Sequence, residues 1–264
     1  MRQEELKISV TQICRRSALM QKLLFQVLDA VTVRTWHVKR ELKKWIKRAP
    51  RRSHVLDAGA GVGLFSYWLS SNNPDFSVLA LDTCKEHVCN GNKFVRELKR
   101  TNLHFKSQCI SEFKANEAFD LVLCSQVLEY LEQDTQTLAN FYSVLRPDGT
   151  IIATVKTKYK TELSESDYKQ GIFRCGYDMT HLKKVVKDAG FKKVKAHFIG
   201  GKFGKAAEKI GFLIPISMLK FSKLSFAILP FYFLIALPLS MLFNWLDSHS
   251  PHSEGQGIVL VAMK

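Results

Sequence analysis

The sequence predicts an α/β protein built on a doubly wound, mostly parallel sheet. Two observations carry this. From residue 53 onward, short apolar strand-like runs alternate with segments of helical period, and the first of these runs feeds a glycine-rich loop that opens a helix. A third feature sets the chain apart. Leu224 to Leu246 is an uncharged, strongly apolar stretch placed just before the last strand-like run.

The elements follow in order. Residues 10–30 and 33–48 read as two helices, because Leu19, Leu23, Leu24, Val27, Leu28 and Val31 recur at helical spacing and Trp36, Arg40, Lys43, Lys44 and Lys47 continue an amphipathic, basic pattern. Ala49-Pro50 closes that region. Residues 53–56 form a strand, 63–70 start a helix, and Asn72-Asn73-Pro74-Asp75 is a turn. Residues 76–81 are a buried strand ending at Asp82, 85–99 a helix, and 119–124 a strand. Residues 127–145 are mainly helical, Arg146-Pro147-Asp148-Gly149 is a tight turn, and 150–155 is a strand. A helix over 180–188 closed by Ala189-Gly190, a strand over 191–199 and a final strand over 257–263 complete the pattern.

The glycine loop carries the chemistry. Asp57-Ala58-Gly59-Ala60-Gly61-Val62-Gly63 has glycine at every second position, which lets the backbone turn sharply and lets a ligand approach without a side chain in the way. Asp82, at the end of the next strand, is a carboxylate able to accept both hydroxyls of a ribose. A nicotinamide-binding turn would space its glycines G-x-G-x-x-G and pack a pyrophosphate on the helix start. An acid immediately before the loop suits a cationic ligand carrying an amino group and suits a pyrophosphate poorly.

With these residues in hand, a family resemblance can be stated. Val55 to Gly63 resembles motif I of the class I S-adenosylmethionine (SAM)-dependent methyltransferases, and Leu81-Asp82 resembles their ribose-binding acid. Phe119 to Tyr130 is similar to their strand-4 motif, often written FDxVxxxxVLEH, and Leu145-Arg146-Pro147-Asp148-Gly149 to the turn before their fifth strand. Tyr177 to Thr180 and Ala189 to Phe191 are similar to their late helix and strand. The resemblance spans roughly residues 53–199 and the last strand, in family order. It implies a Rossmann-like, seven-stranded, mostly parallel sheet with an antiparallel last strand, SAM as cofactor, and methyl transfer to a small or lipid-like molecule of the kind handled by quinone-pathway O-methyltransferases.

The resemblance also implies roles. Asp57 would orient the loop and the methionine amino group, and Gly59, Ala60, Gly61 and Gly63 would line the cofactor. Asp82 would hold the ribose, Thr83 and Cys84 would lie near the adenine, and Ser125 and Gln126 would close the methionine side. Many relatives carry an acid near the adenine amine. Here that stretch is Lys106 to Ser111, so Gln108 or Cys109, or the backbone, would serve. Methyl transfer from a sulfonium is an in-line displacement that needs alignment above all, and a base only where the acceptor is a hydroxyl or a protonated amine. The candidates are Glu129, Tyr130, His181 and His37. Tyr130 stands where relatives often have His, and Glu129 is equally a helix-start acid favoured by the dipole.

Charge and cysteines bound the setting. The net charge of +15 divides into +10 over residues 1–54, −3 over 55–182 and +8 over 183–264, so both flanks are basic. Such flanks suit nucleic acid, an anionic membrane surface or plain solvation. The start, Met1 to Lys22, is charged throughout, which reads against a cleavable signal peptide. The six cysteines show no CxxC spacing and read as reduced cytosolic thiols, and no metal site is expected.

The expected organisation is a basic helical region over 1–52, capping the substrate or facing a membrane, and a methyltransferase domain over 53–264 with a hydrophobic insertion at 202–250. Residues 224–246 are long enough to span a bilayer. A single crossing would separate strands 191–199 and 257–263, which the resemblance places in one sheet. Pro230 and Pro238 each remove a helical hydrogen bond. Two or more short helices over 202–246 lying on or dipping into one leaflet are therefore expected, with flanking lysines at the head groups. A buried lid over a greasy substrate and an oligomer interface are the alternatives. The functional expectation is O-methylation of a lipophilic small molecule by a cytoplasmic enzyme peripheral to the inner membrane face, with no nucleic-acid partner. An RNA methyltransferase and a non-catalytic, membrane-associated SAM-binding protein are the alternative classes. No Asn-Pro-Pro-Tyr tetrad supports the former, and the intact glycine loop speaks against the latter.

Overall fold

A computed structural model describes residues 17–115, 118–158, 162–221 and 225–264. The first residues of the helix expected from residue 10, the charged start of the chain, Lys223 and Leu224 lie outside the described residues.

Seven strands form one sheet: β1 His54–Ala58, β2 Ser77–Asp82, β3 Leu103–Ser107, β4 Phe119–Ser125, β5 Leu145–Lys156, β6 Lys192–Ile199 and β7 Gly257–Met263, in the order β3-β2-β1-β4-β5-β7-β6. β1 pairs in parallel with β2 and β4, β2 with β3, and β4 with β5. β7 runs antiparallel at the end of the chain. Consistently, the N–H of Lys264 donates to the carbonyl of Gly149, near the start of β5. β4 is buried over Phe119–Cys124, as expected of a strand covered on both faces.

Ten α-helices accompany the sheet among the described residues: α1 Ala18–Val31, α2 Val33–Ile46, α3 Leu64–Asn72, α4 Lys85–Glu97, α5 Asp134–Val144, α6 Glu165–Lys169, α7 Met179–Asp188, α8 Lys202–Glu208, α9 Ile214–Phe221 and α10 Ser225–His249. Their ends follow local chemistry. Ser17 caps α1 by accepting from the N–H of Met20 (3.3 Å). Asp178 caps α7 by accepting from Thr180 and His181. Gly190, at φ +103°, provides the left-handed residue that ends α7.

The chain divides into two compact units, Glu41–His197 with Ile258–Lys264, and Met1–Arg40 with Phe198–Gly257. The first holds the glycine loop and most of the sheet. The second is helical.

The structure departs from the sequence expectations in four places. β3 leaves no clear mark in the sequence pattern, because five residues at a sheet edge are too few to show a period. The turn expected at 146–149 is the irregular start of β5, with a register shift between Phe119 and Leu121 and Asp148 at φ +62°. The helix expected over 127–145 is split into a 3₁₀ turn, Leu128–Tyr130, and α5. Pro230 and Pro238 do not separate two helices but lie inside α10. Each proline removes one N–H from the ladder, and the remaining bonds and the side-chain anchors of α10 hold it in one piece.

Those anchors are polar. Ser240, Asn244, Asp247 and Ser248 of α10 are buried, while Phe231, Leu234 and Ile235 are 71%, 73% and 74% exposed. Asn244 Nδ2 donates to the carbonyl of Ala30 (2.9 Å), Ser240 Oγ to that of Ala207 (3.3 Å), and Tyr232 Oη to that of Ile210 (2.7 Å). α10 therefore turns polar side chains inward and large apolar ones outward.

In the sheet-bearing unit, the chain between β5 and α7 is fixed by a buried polar network. Tyr177 Oη donates to Asp134 Oδ2 (2.7 Å), and Arg174 Nη2 donates to Asp134 Oδ1 (2.7 Å). Burial, together with Asp134, pushes the Tyr177 hydroxyl well above the usual phenol range. Asp134→Ala should lower stability by about 1–2 kcal/mol, because it leaves the buried Tyr177 hydroxyl and the Arg174 guanidinium only the longer bonds to the carbonyls of Leu128 (3.3 Å) and Glu132 (3.2 Å). The midpoint of urea unfolding checks this.

Candidate functional site

In a sheet of this order the strand direction of chain progress reverses between β1 and β4, and the loops leaving their carboxyl ends diverge into a crevice. The glycine loop leaves β1 at that point. Gly59, Gly61 and Gly63 adopt φ of +79°, +55° and +85°. A Cβ at Gly59 would come within 2.4 Å of Val127 Cγ2, and one at Gly63 within 2.4 Å of Phe105 Cζ. A Cβ at Gly61 would meet nothing within 4 Å. The outer glycines are therefore required by packing, and the middle one faces open space.

The loop is pinned at both sides. The N–H groups of Gly59 and Ala60 donate to the carbonyl of Leu81 (2.9 and 2.8 Å). Asp82 Oδ2 accepts from the N–H of Gly61 (2.7 Å) and Oδ1 from that of Cys84 (2.8 Å), while His87 Nδ1 lies 3.5 Å from Oδ1. Burial alone would raise the Asp82 pKa. The hydrogen bonds from His87, Cys84 and Gly61 more than offset it, so the carboxyl sits below its ordinary value and stays ionised.

Asp57 is 2% exposed and accepts from Ser66 Oγ (2.5 Å) at the start of α3. Burial pushes its pKa up to about 6, reinforced by the nearby charge of Asp82 and opposed by Ser66. At the end of β4, Ser125 Oγ lies 3.0 Å from Thr154 Oγ1, and the N–H of Gln126 donates to the carbonyl of Thr154 (2.8 Å). Gln126 holds φ +56°, an uncommon conformation for a non-glycine residue. The N–H of Gln108 donates to the carbonyl of Asp82 (3.2 Å), and the Gln108 side-chain Oε1 is buried with no hydrogen-bond partner among the described residues. Cys109 Sγ lies 2.9 Å from Ser111 Oγ, and Thr83 is exposed beside Asp82. The structure thus gathers Asp57, the glycine loop, Asp82, Thr83 and Gln108 along the β1 and β2 ends, with Ser125 and Gln126 at the end of neighbouring β4.

The catalytic candidates separate. Glu129 is buried, with Oε1 accepting from the N–H of Lys156 (2.5 Å) and its carbonyl accepting from the N–H of Phe173 (2.9 Å). Tyr130 is half-buried in the same turn. His181 is exposed on the first turn of α7. It lines a pocket of about 670 Å³ with Lys158, Tyr168, Phe173, Arg174 and Tyr177. His37 belongs to the helical unit, where it is buried against Asp247. Sequence reading missed Val127, Phe105 and His87 as supports of the loop, and Tyr168 and Phe173 as pocket walls. Tyr168 and Phe173 lie where no helical or strand period marks them.

Comparison with known proteins agrees with this geometry. Residues 56–151 match a family model described as a methyltransferase domain. Residues 56–151 thus resemble a methyltransferase domain, the sheet has the Rossmann-like methyltransferase fold, and the chain resembles enzymes of the quinone pathway. Among curated proteins it is 28% identical over 107 residues, 40% of this chain and 44% of the relative, to the ubiquinone biosynthesis O-methyltransferase of Rickettsia canadensis. It is 26% identical over 117 residues, 42% of this chain and 47% of the relative, to the protein of the same name from Coxiella burnetii. The chain spans about half the length of the curated relatives it matches. Among solved structures it is similar to Haemonchus contortus phosphoethanolamine N-methyltransferase 2 in complex with SAM, with a TM-score of 0.59, 18% identity, and coverage of 85% of this chain and 52% of that one. It is also similar to the [4+2]-cyclase SpnF, with a TM-score of 0.53, 16% identity, and coverage of 95% and 83%. At these identities the structural likeness speaks for the fold alone.

The raised pKa of Asp57 has a consequence for stability. Below about pH 4 the carboxyl is protonated in both the folded and unfolded chain. Between about pH 4 and pH 6 the unfolded chain sheds this proton while the folded chain keeps it, so the ligand-free protein loses roughly 2–3 kcal/mol over that window and no more above it. Asp57→Asn should remove that loss. Chemical denaturation of both proteins between pH 4 and pH 8 should show the stability difference growing up to about pH 6 in favour of the variant and then level.

Proposed function

We propose that the chain binds SAM at the glycine loop and transfers its methyl group to a hydroxyl of a lipophilic small molecule. The observation that carries this reading is the left-handed loop, with open space at Gly61, beside an ionised Asp82. The residues present suit the cofactor. Asp82 would accept the ribose hydroxyls, and the buried, unpartnered Oε1 of Gln108 would accept the adenine amine. Backbone groups of Gly59, Ala60 and Gly61 would line the ligand, with Thr83 and Cys109 beside the base. Asp57 would bias the loop toward a cationic amino group, and Ser125 and Gln126 would close the methionine side.

The cofactor supplies an electrophilic methyl group on a sulfonium. The protein aligns the acceptor and excludes water. The pocket beside the Glu129–Tyr130 turn is the acceptor site. Tyr168 and Phe173 line it, and among the described residues they are the only large apolar side chains exposed in the sheet-bearing unit. His181 lines the same pocket, which supports it as the base that would take a hydroxyl proton. Glu129 fixes one wall through its carbonyl, which accepts from the N–H of Phe173, and Tyr130 follows it in the same turn. A hydroxyl acceptor is supported by the Rickettsia and Coxiella relatives, which are named as O-methyltransferases.

The helical unit supports a membrane setting at the inner, cytoplasmic face. Of the fifteen large apolar side chains exposed among the described residues, thirteen lie in this unit, including Leu19, Leu23 and Val27 on α1 and Phe231, Leu234, Ile235 and Trp245 on α10. Exposed surface of that extent on a soluble monomer is costly, and the exposed Lys202, Lys205 and Lys209 suit anionic head groups. The basic helices over 1–52 and the insertion 202–250 together would meet the bilayer.

Two outcomes are expected. Calorimetry of the full chain with SAM should give one site, weakened at least about tenfold by Asp82→Ala, which removes a charge-assisted acceptor. Absence of SAM binding in the parent protein refutes the reading. In flotation with vesicles containing anionic lipid, the protein should rise with the vesicles, and Leu234→Glu with Ile235→Glu should cut the bound fraction several-fold. Equal flotation of the double variant contradicts insertion through α10.

A further inference from the structure

Two histidines and an aspartate meet inside the helical unit, outside the residues that build the cofactor loop. His37 lies on α2, Asp247 near the end of α10, and His252 in the segment after it. His37 Nε2 is 2.9 Å from Asp247 Oδ1. His252 Nε2 is 3.2 Å from the same oxygen and 2.9 Å from the Asp247 carbonyl oxygen. The ligand atoms of the three side chains all lie within 4.8 Å of one another. The side chains are 1%, 0% and 8% exposed.

The glycine run that follows β6 is shaped around this cluster. The N–H of Gly200 donates to Asp247 Oδ1 (3.1 Å) and that of Gly204 to Oδ2 (2.7 Å). A Cβ at Gly201 would fall 2.4 Å from His252 Nδ1, and one at Gly204 2.9 Å from Asp247 Oδ2. The sequence Gly200-Gly201-Lys202-Phe203-Gly204 thus keeps two of its three glycines so that the imidazole and the carboxylate fit, and uses two backbone donors to orient the carboxylate.

Two imidazoles and a carboxylate are the ligand chemistry of borderline divalent ions, zinc foremost. Ligand atoms bound about 2.0–2.2 Å from one tetrahedral zinc lie about 3.3–3.6 Å apart, wider than the 2.9 and 3.2 Å seen here, so a small outward movement admits the ion. Backbone N–H groups on the outer side of a ligating carboxylate are the usual second layer of such a centre. A dication in place of the imidazole protons also offsets the cost of burying the carboxylate.

We propose that His37, Asp247 and His252 form a binding site for a divalent transition-metal ion of the zinc type, which ties α2 to the carboxyl end of α10. The Asp247 carbonyl oxygen is within reach as a fourth donor. The site is structural: it stabilises the helical unit and takes no part in methyl transfer.

The test uses the full chain, stripped with a chelator and titrated with Co²⁺ and then Zn²⁺. One equivalent of Co²⁺ per chain with the visible absorption of a low-coordinate nitrogen–oxygen complex is expected, displaced by one equivalent of Zn²⁺. At zinc a hundred times above Kd, the melting midpoint should rise by about 5–10 °C. His252→Gln should keep its far-ultraviolet circular dichroism and its SAM affinity, and bind Co²⁺ at least about tenfold more weakly. Asp247→Asn provides the second variant if His252→Gln fails to fold. A parent protein that retains no stoichiometric metal, and whose melting ignores both zinc and chelator, overturns the proposal and leaves a hydrogen-bonded knot. Equal Co²⁺ affinity in a folded variant overturns it as well, because other histidines would then hold the ion.

Discussion

The hydrogen bond from the Gly61 N–H to the Asp82 carboxylate is the contact on which the site depends. It joins the loop after β1 to the end of β2 and holds a middle glycine at positive φ above open space. Two neighbouring glycines cannot carry a side chain without striking Val127 or Phe105. The loop therefore has one shape, and that shape leaves its backbone facing the crevice. Asp82 reaches this position because β1 and β2 pair in parallel and in register, Ala58 beside Leu81. His87 and Cys84 then keep its carboxylate ionised. Asp57 lies buried with a raised pKa, a strain that a cationic ligand group would relieve.

Much of this is legible in the sequence because backbone demands leave a residue-level trace. Alternate glycines after an apolar strand mark a backbone that must take positive φ and meet a ligand closely, and an acid at the end of the next strand fixes a second point of the same ligand. The apolar runs of β1, β2, β4 and β5 follow from burial on both faces. Other parts leave no local trace. The orphaned amide of Gln108 is visible only once β3 is seen ending beside β2, and β3 itself is too short to declare itself. Tyr168 and Phe173 lie in a stretch without period and become pocket walls only through the chain's return to Thr157 and Glu129. His37, Asp247 and His252 are joined by the fold across more than two hundred residues.

The helical insertion shows the opposite case, a signal that is present but easily read too coarsely. Its length and lack of charge are evident, and its prolines suggest several pieces. Ser240, Asn244, Asp247 and Ser248 stand at i, i+4, i+7 and i+8, one face of a helix. That polar stripe in an apolar stretch specifies which side packs inward. Buried polar groups must find partners, and Ala30, Ala207, Gly200 and Gly204 supply them to Asn244, Ser240 and Asp247. The apolar side chains are left outside, the reverse of a soluble helix. The same stripe brings Asp247 to the two histidines, so α10 is anchored by polar contacts while its outer face is greasy. A fold that serves both a methyltransferase and a cyclase among its solved relatives does not dictate the acceptor. What distinguishes this chain lies in the pocket behind Phe173 and in the outward face of α10.

The most direct measurement is a crystal structure of the full chain with S-adenosylhomocysteine. It should place the ribose hydroxyls on Asp82 and the adenine amine within hydrogen-bonding distance of Gln108 Oε1, with the ligand backbone over Gly61. A ligand bound elsewhere, or an adenine that leaves Gln108 Oε1 unpaired while Asp82 keeps both its backbone bonds and no ribose, would contradict the assignment.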